Sequence, residues 1–116
     1  MQTCRIAITG FGRVGRAIAA MLLARRARYR DLHAADVRLV AVCGSRSGLF
    51  DPAGLEVERL DSLEAGRSGP DFIAATAADV VIEAGPSDHR TGGPGLAYLT
   101  TTLAAGRDAI AVSKGA

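Results

Sequence analysis

The sequence predicts an α/β protein built on an open parallel sheet with helices on both faces. Three observations predict it. Short Val/Ile/Ala-rich runs at Cys4–Thr9, Val37–Cys43, Asp79–Glu83 and Asp108–Ser113 alternate with helical patterns. The chain is 48% hydrophobic but only 4% aromatic, so its core must come from Ala, Val, Ile and Leu, which suits buried parallel strands. The first strand runs straight into a glycine turn and then a helix, reading I-A-I-T-G-F-G-R-V-G from Ile6 to Gly15.

That first junction carries the most chemistry. Gly10, Gly12 and Gly15 form G-x-G-x-x-G between a strand and a helix, the phosphate-gripping start of a dinucleotide-binding, Rossmann-type unit. Gly10 lets the chain turn sharply. Gly12, lacking a Cβ, admits a pyrophosphate to the backbone. Gly15 lets the helix pack on the strand. Free N–H groups and the positive end of the helix dipole face the anion. The helix is expected over Arg13 to Arg28, with Val14, Ile18, Met21, Leu22 and the stem of Arg25 on one face. Arg25, Arg26, Arg28 and Arg30 crowd its far end. They read as a solvated helix end complementing the dipole rather than a phosphate or nucleic-acid patch, because that end points away from the glycine turn.

The second strand, V-R-L-V-A-V-C, bears on cofactor preference. An NAD-selective unit places an acid at its end for the ribose hydroxyls. Here Gly44, Ser45, Arg46 and Ser47 follow, and Asp36 stands at the opposite end. A hydroxyl and a guanidinium suit a 2′-phosphate, so NADP is preferred, with NAD as the alternative. From Gly48 to Gly69 the pattern weakens: a turn at Asp51-Pro52, an extended piece through Leu55, Val57 and Leu60, and one helical turn at Ser62–Ala65. A short helix follows from Pro70, with Asp71 in its first turn.

After the third strand comes the turn Ala84-Gly85-Pro86-Ser87 and a polar loop containing His89, whose solvated reading outweighs a catalytic one. Thr91 is the expected cap of a helix over Leu96–Ala105, with Leu96, Leu99 and Leu103 on one face and Gly106 ending it. Glu83 reads as a structural partner for a backbone amide, without chemistry. Lys114 follows the last strand, on the rim where ligands bind. The expected strand order is second, first, third, fourth, with the topological switch between the first and third.

A net charge of +2 gives no reason to expect nucleic-acid or membrane partners. No run is long enough to span a membrane, and no signal peptide or metal-ligand spacing is visible. Cys4 and Cys43 fall at opposite ends of neighbouring strands, which predicts free thiols and a cytoplasmic protein.

Taken together, G-F-G-R-V-G-R at 10–16, D-V-V-I-E-A-G-P-S at 79–87, T-G-G-P-G-L-A-Y at 91–98, L-A-A-G at 103–106 and A-V-S-K-G-A at 111–116 resemble the N-terminal cofactor domain of homoserine dehydrogenase. The first of these is also shared with glyceraldehyde-3-phosphate dehydrogenase, which places an acid after the second strand and lacks the later motifs. The resemblance covers essentially the whole chain, 1–116, as one dinucleotide-binding domain. It implies interconversion of aspartate 4-semialdehyde and homoserine with NAD(P)H, on the route to threonine and methionine. It implies cofactor contacts from Gly10, Phe11, Gly12, Arg13, Val14, Gly15, Ser45, Arg46, Gly85, Pro86, Ser87 and Ser113, and proton transfer at Lys114. Ser113 stands where the family usually has Asn. The family's substrate domain and most of its oligomer contacts follow a point near Ala116. The expectation is therefore a cofactor domain taken from a longer homo-oligomeric enzyme and inactive alone. The alternatives are a free-standing dinucleotide-sensing module and the cofactor domain of another oxidoreductase, such as aspartate dehydrogenase.

Overall fold

A computed structural model describes residues 1–86 and 93–112. Strand β1 (Gln2–Thr9) leads into α1 (Arg13–Ala24) and α2 (Arg26–His33). Strands β2 (Ala35–Cys43) and β3 (Ser47–Phe50) follow, then a 3₁₀ turn at Val57–Asp61 and the two-residue β4 (Glu64–Ala65). Helix α3 (Pro70–Ala75), β5 (Val80–Glu83), α4 (Gly93–Ala104) and β6 (Asp108–Ala111) complete the order.

The sheet runs β4-β3-β2-β1-β5-β6. Its β2-β1-β5-β6 part is parallel, in the order expected from sequence, with the switch between β1 and β5. The sheet as a whole is mixed, because two short strands extend the parallel part expected from sequence. Strand β3 adds antiparallel to β2, and β4 antiparallel to β3. The chain leaves β2 by a tight hairpin, in which the Gly44 N–H donates to the Ser47 carbonyl at 2.8 Å. Leu49, almost wholly buried, then ties β3 to the core. Of the piece expected to be extended through Leu55, Val57 and Leu60, the part from Val57 onward is instead 3₁₀, and the turn expected to be helical at 62–65 supplies β4.

Register divides the core. Ile6, Ile8, Val42 and Ile82 face α1, together with Leu22, Leu49, Leu55 and Leu60. Ala7, Ala41, Cys43 and Val81 face α3 and α4, against Ile73 and Tyr98. Each fully buried aliphatic side chain contributes roughly 1.5–3 kcal/mol. The register of β1 on β2 shifts between Ile6 and Ala7, leaving Val40 as the extra residue of a bulge. Cys4 and Cys43 are free thiols, and Cys4 pairs with Val37 while Cys43 pairs with Thr9, at opposite ends of the strand pair. Among the described residues no helix is long and apolar enough to cross a membrane.

Two helices differ from their sequence patterns. The long first helix breaks at Arg25, whose ψ of 4° interrupts the spiral. The buried residues of α1 are Gly15, Ala19 and Leu22, while Val14 and Met21 are largely exposed. Small residues win the inner face because they let the helix lie close to the sheet. In α4 the inner face is Gly95, Tyr98 and Thr102, so Leu96 and the 62%-exposed Leu103 point outward. The expected cap Thr91 lies outside the described residues.

The break at Arg25 has a visible counterpart. Asp36, on the second residue of β2, accepts from Arg26 Nε at 2.9 Å and Arg38 Nε at 2.7 Å, and Arg30 Nη2 lies 3.9 Å away. Two of the four arginines expected to be merely solvated therefore serve a carboxylate. Hydrogen bonds from Arg26 and then Arg38 hold the Asp36 carboxyl down to about 2, from an ordinary 3.8. A lowered folded value means that the stabilisation is complete above 3.8 and is lost as pH falls toward 2. Asp36→Asn should therefore melt below wild type at neutral pH, and the gap should close through that acid window. Paired melting curves across it provide the check.

Candidate functional site

The site is the carboxyl rim of the parallel strands. Backbone bonds set its height: Gly10 N–H donates to the Cys43 carbonyl at 2.9 Å, Ala84 N–H to Thr9 at 2.8 Å and Val112 N–H to Glu83 at 2.8 Å. Across this rim the glycine turn meets the turn after β5. Gly10 has φ +77°, and a Cβ there would stand 2.1 Å from the Gly85 Cα and N. Gly12 opens α1 with no side-chain cap, and a Cβ there would meet nothing within 4 Å. A Cβ on Gly15 would stand 2.5 Å from the Gly10 carbonyl oxygen. Gly10 thus serves the turn, Gly12 leaves open space, and Gly15 seats the helix, chiefly on the turn's own carbonyl. The first-turn N–H groups of α1 have no intrahelical acceptors and carry the positive end of the dipole.

A groove of about 570 Å³ runs along this rim. It is lined by residues 10–14, Gly44 to Ser47, Leu63 and Ala84 to Pro86. The described residues proposed from sequence as cofactor contacts all line it except Gly15, which is buried beneath the turn. Phe11 is also largely buried, with the Arg16 guanidinium 4.6 Å over its ring, so what it offers the groove is mainly backbone. Ser87, Ser113 and Lys114, and with them His89, lie outside the described residues.

Charge is distributed unevenly around the groove. Arg16 pairs with Asp61 at 3.6 Å and Arg67 with Glu64 at 3.4 Å. Arg13 and Arg46, both exposed at its edge, pair with no carboxylate among the described residues. Ser45 and Arg46 occupy the tip of the β2–β3 hairpin, held from the far side by Gly66 N–H donating to the Arg46 carbonyl at 2.9 Å. Among the described residues the groove lining therefore carries arginines and no acid, which suits a phosphorylated ligand.

A second cavity, of about 370 Å³, opens on the α3/α4 side of the same glycines. Its walls are Pro70, Pro86, Pro94, Ala97 and Tyr98, with Glu83 among its polar lining. Sequence reasoning missed this cavity and the group that shapes it. The Tyr98 hydroxyl accepts from Gly69 N–H at 3.0 Å and lies 3.4 Å from Cys43 Sγ, while Ser68 Oγ donates to the Gly44 carbonyl. Burial pushes the Cys43 thiol up, and burial followed by that thiol pushes Tyr98 up. Both are therefore neutral hydrogen-bonding groups that tie β2, the 66–69 turn and α4 together. The only sequence signal was a lone aromatic in an Ala/Thr-rich helix. Glu83, read as a backbone partner, is one: its Oε1 accepts from Gly85 N–H at 2.7 Å.

No family model matches the chain, and no curated protein matches it. Solved structures do. An Archaeoglobus fulgidus protein assigned as a homoserine dehydrogenase superposes with a TM-score of 0.76 at 24% identity, over 97% of this chain and 35% of its own. The S. aureus homoserine dehydrogenase gives 0.72 at 16%, over 100% of this chain and 27% of its own. A hetero-hexameric glutamate dehydrogenase from Thermus thermophilus gives 0.56 at 23%, over 95% and 30%. The chain spans about a third or less of each. At these identities the likeness establishes the fold: the chain has the Rossmann-type α/β fold that homoserine dehydrogenases contain.

Proposed function

We propose that this chain is the NAD(P)-binding domain of a homoserine dehydrogenase, that it prefers NADP(H), and that it does not turn over substrate alone. The observation that carries this reading is the superposition of a whole 116-residue chain on one part of such enzymes, with an open glycine turn and, along one groove, two arginines that pair with no carboxylate among the described residues. The residues fit a dinucleotide. Gly12 leaves space where a Cβ would stand, the α1 start offers uncapped N–H groups, and the hydroxyl of Ser45 and guanidinium of Arg46 on the groove suit a 2′-phosphate on the adenosine ribose. When bound, the nicotinamide supplies the hydride. The chain's own part is to hold the pyrophosphate on α1, neutralise phosphate charge with Arg13 and Arg46, and exclude water with the Pro86 side of the groove. In this reading Lys114, beyond β6, moves the proton at the substrate oxygen, and threonine and methionine synthesis is the pathway served. A substrate pocket would come from a following domain, and the full enzyme would be a cytoplasmic homo-oligomer.

Calorimetric titration with NADPH and NADH tests it. NADPH should bind about tenfold more tightly, a difference of ~1.4 kcal/mol. Arg46→Ala should remove most of that margin by weakening NADPH while leaving NADH nearly unchanged. Tighter binding of NADH would overturn the reading of Ser45-Arg46, and binding of neither would overturn the domain assignment.

A further inference from the structure

The carbonyls of Gly44 and Arg46 bracket the exposed tip of the β2–β3 hairpin, and one short turn, 66–69, holds both. Ser68 Oγ donates to the first, and Gly66 N–H donates to the second at 2.9 Å. That turn has little packing of its own. Gly66 and Gly69 have left-handed φ, +84° and +97°, and a Cβ at either would meet nothing within 4 Å. It is fastened instead to α4. The Tyr98 hydroxyl accepts from Gly69 N–H at 3.0 Å and lies 3.5 Å from Ser68 Oγ. The Ser68 proton is committed to Gly44, so toward Tyr98 the serine oxygen acts as an acceptor. A relay therefore runs from Gly69 N–H through the Tyr98 and Ser68 hydroxyls to the Gly44 carbonyl, with Cys43 Sγ beside it, 3.4 Å from the tyrosine oxygen. The Tyr98 ring is buried among Ala41, Cys43, Ile73 and Val81, which gives the relay a rigid base. A phenylalanine would fill that space without a hydroxyl to satisfy, so the hydroxyl calls for a use.

We propose that Tyr98 is a positioning residue for cofactor selection: through Ser68 and the 66–69 turn it sets the place of Ser45 and Arg46, and with it the preference for a dinucleotide carrying a 2′-phosphate. This rests on the dinucleotide reading above. Tyr98 is not part of the 570 Å³ groove lining, so it acts through the residues it holds. A guanidinium on a loose hairpin must be ordered when the phosphate arrives, and that ordering subtracts from affinity; one held in advance escapes the loss. NADH has no 2′-phosphate for Arg46 to meet. The pyrophosphate of either cofactor is gripped elsewhere, at Gly12 and the α1 start. Loosening the relay should therefore separate the two cofactors, weakening NADPH and sparing NADH.

Tyr98→Phe removes the hydroxyl and keeps the ring. Its NADPH-over-NADH ratio, read by calorimetry, should fall about threefold or more, the worth of one neutral hydrogen bond, with NADH affinity nearly unchanged. Ser68→Ala breaks the same relay from the turn side and should do the same, and it reports independently if Tyr98→Phe misfolds. In an Arg46→Ala background neither change should lower the ratio further, because the residue being positioned is gone. Amide exchange without nucleotide gives a second readout: the Gly66 N–H that clasps Arg46 should exchange faster in both variants. Unchanged Gly66 exchange overturns the relay. Faster exchange with a wild-type ratio, or equal weakening of both cofactors, overturns the role in selection and leaves Tyr98 a structural residue. Wild type binding neither nucleotide, or NADH more tightly, overturns the reading on which this one rests, while the exchange measurement still decides whether Tyr98 braces the hairpin.

Discussion

Gly10→Ala is expected to melt far below wild type, whereas Gly12→Ala should fold normally and lose its ligand. The two glycines are two residues apart in one motif, and the structure gives them opposite duties. At Gly10 the backbone is left-handed, φ +77°, a conformation that costs an L-residue about 1–2 kcal/mol. The added methyl would stand 2.1 Å from the Gly85 Cα and N and 2.7 Å from the Ala84 carbonyl carbon. Backbone cannot swing aside as a flexible side chain can, so overpacking adds roughly 1–3 kcal/mol or more. A total near 4 kcal/mol is a large share of the roughly 5–15 kcal/mol by which a domain is stable. At Gly12 φ is negative, and the methyl would point into open space. Its stability cost should stay within about 0.5 kcal/mol. That open space is where a pyrophosphate must approach α1, so NADPH affinity should fall at least about tenfold. Thermal melts and calorimetry on the two variants separate the effects. A Gly10→Ala variant with wild-type melting would refute the close Gly10–Gly85 approach, and a Gly12→Ala variant with wild-type affinity would move the ligand off α1.

The motif was legible because everything it needs is local. A buried strand, a glycine turn and a helix start lie within Ile6 to Gly15, and each residue's duty follows from φ or from the absence of a Cβ. The order β2-β1-β5-β6 was legible for a related reason: four apolar runs with helical connections leave few right-handed arrangements. Other features depended on partners remote in sequence. Nothing near Arg25 announces a helix break; Asp36, eleven residues on, draws Arg26 and Arg30 to itself. Nothing near Leu96 or Leu103 says that Tyr98 and Thr102 will take the inner face of α4; the small Gly95 and the hydrogen bonds of Tyr98 decide it. The second cavity was invisible because its walls come from Gly10, 44–45, 68–70, 83–86 and 94–98, stretches brought together only by the sheet. Glu83 shows the boundary well. Its bond to a backbone amide could be read from a strand end, but the cavity that its side chain lines could not.

Gly48→Ala should be the most damaging change outside the glycine motif, and it tests the part of the fold that the sequence pattern obscured. Gly48 sits in β3, paired with Cys43 on one side and Glu64 on the other. A methyl there would stand 2.3 Å from the Arg67 carbonyl oxygen, 2.4 Å from that of Val42 and 2.9 Å from the Cys43 Cβ. Both oxygens belong to backbone held in the sheet corner, so relief requires β3 to move away from β2. Overpacking of this kind costs about 2–3 kcal/mol. The consequence reaches the ligand rim, because the β2–β3 hairpin carries Ser45 and Arg46 at its tip and Gly66 N–H clasps the Arg46 carbonyl. Displacing β3 should therefore reduce the NADPH-over-NADH margin as well as the melting temperature. Gly66→Ala is the control: at φ +84° it carries left-handed strain of about 1–2 kcal/mol, but its methyl would meet nothing within 4 Å. It should lower stability modestly and keep the margin. If Gly48→Ala instead melts like wild type, the antiparallel corner is looser than its contacts require. Should it lose stability while keeping full selectivity, Arg46 does not depend on the hairpin for its position.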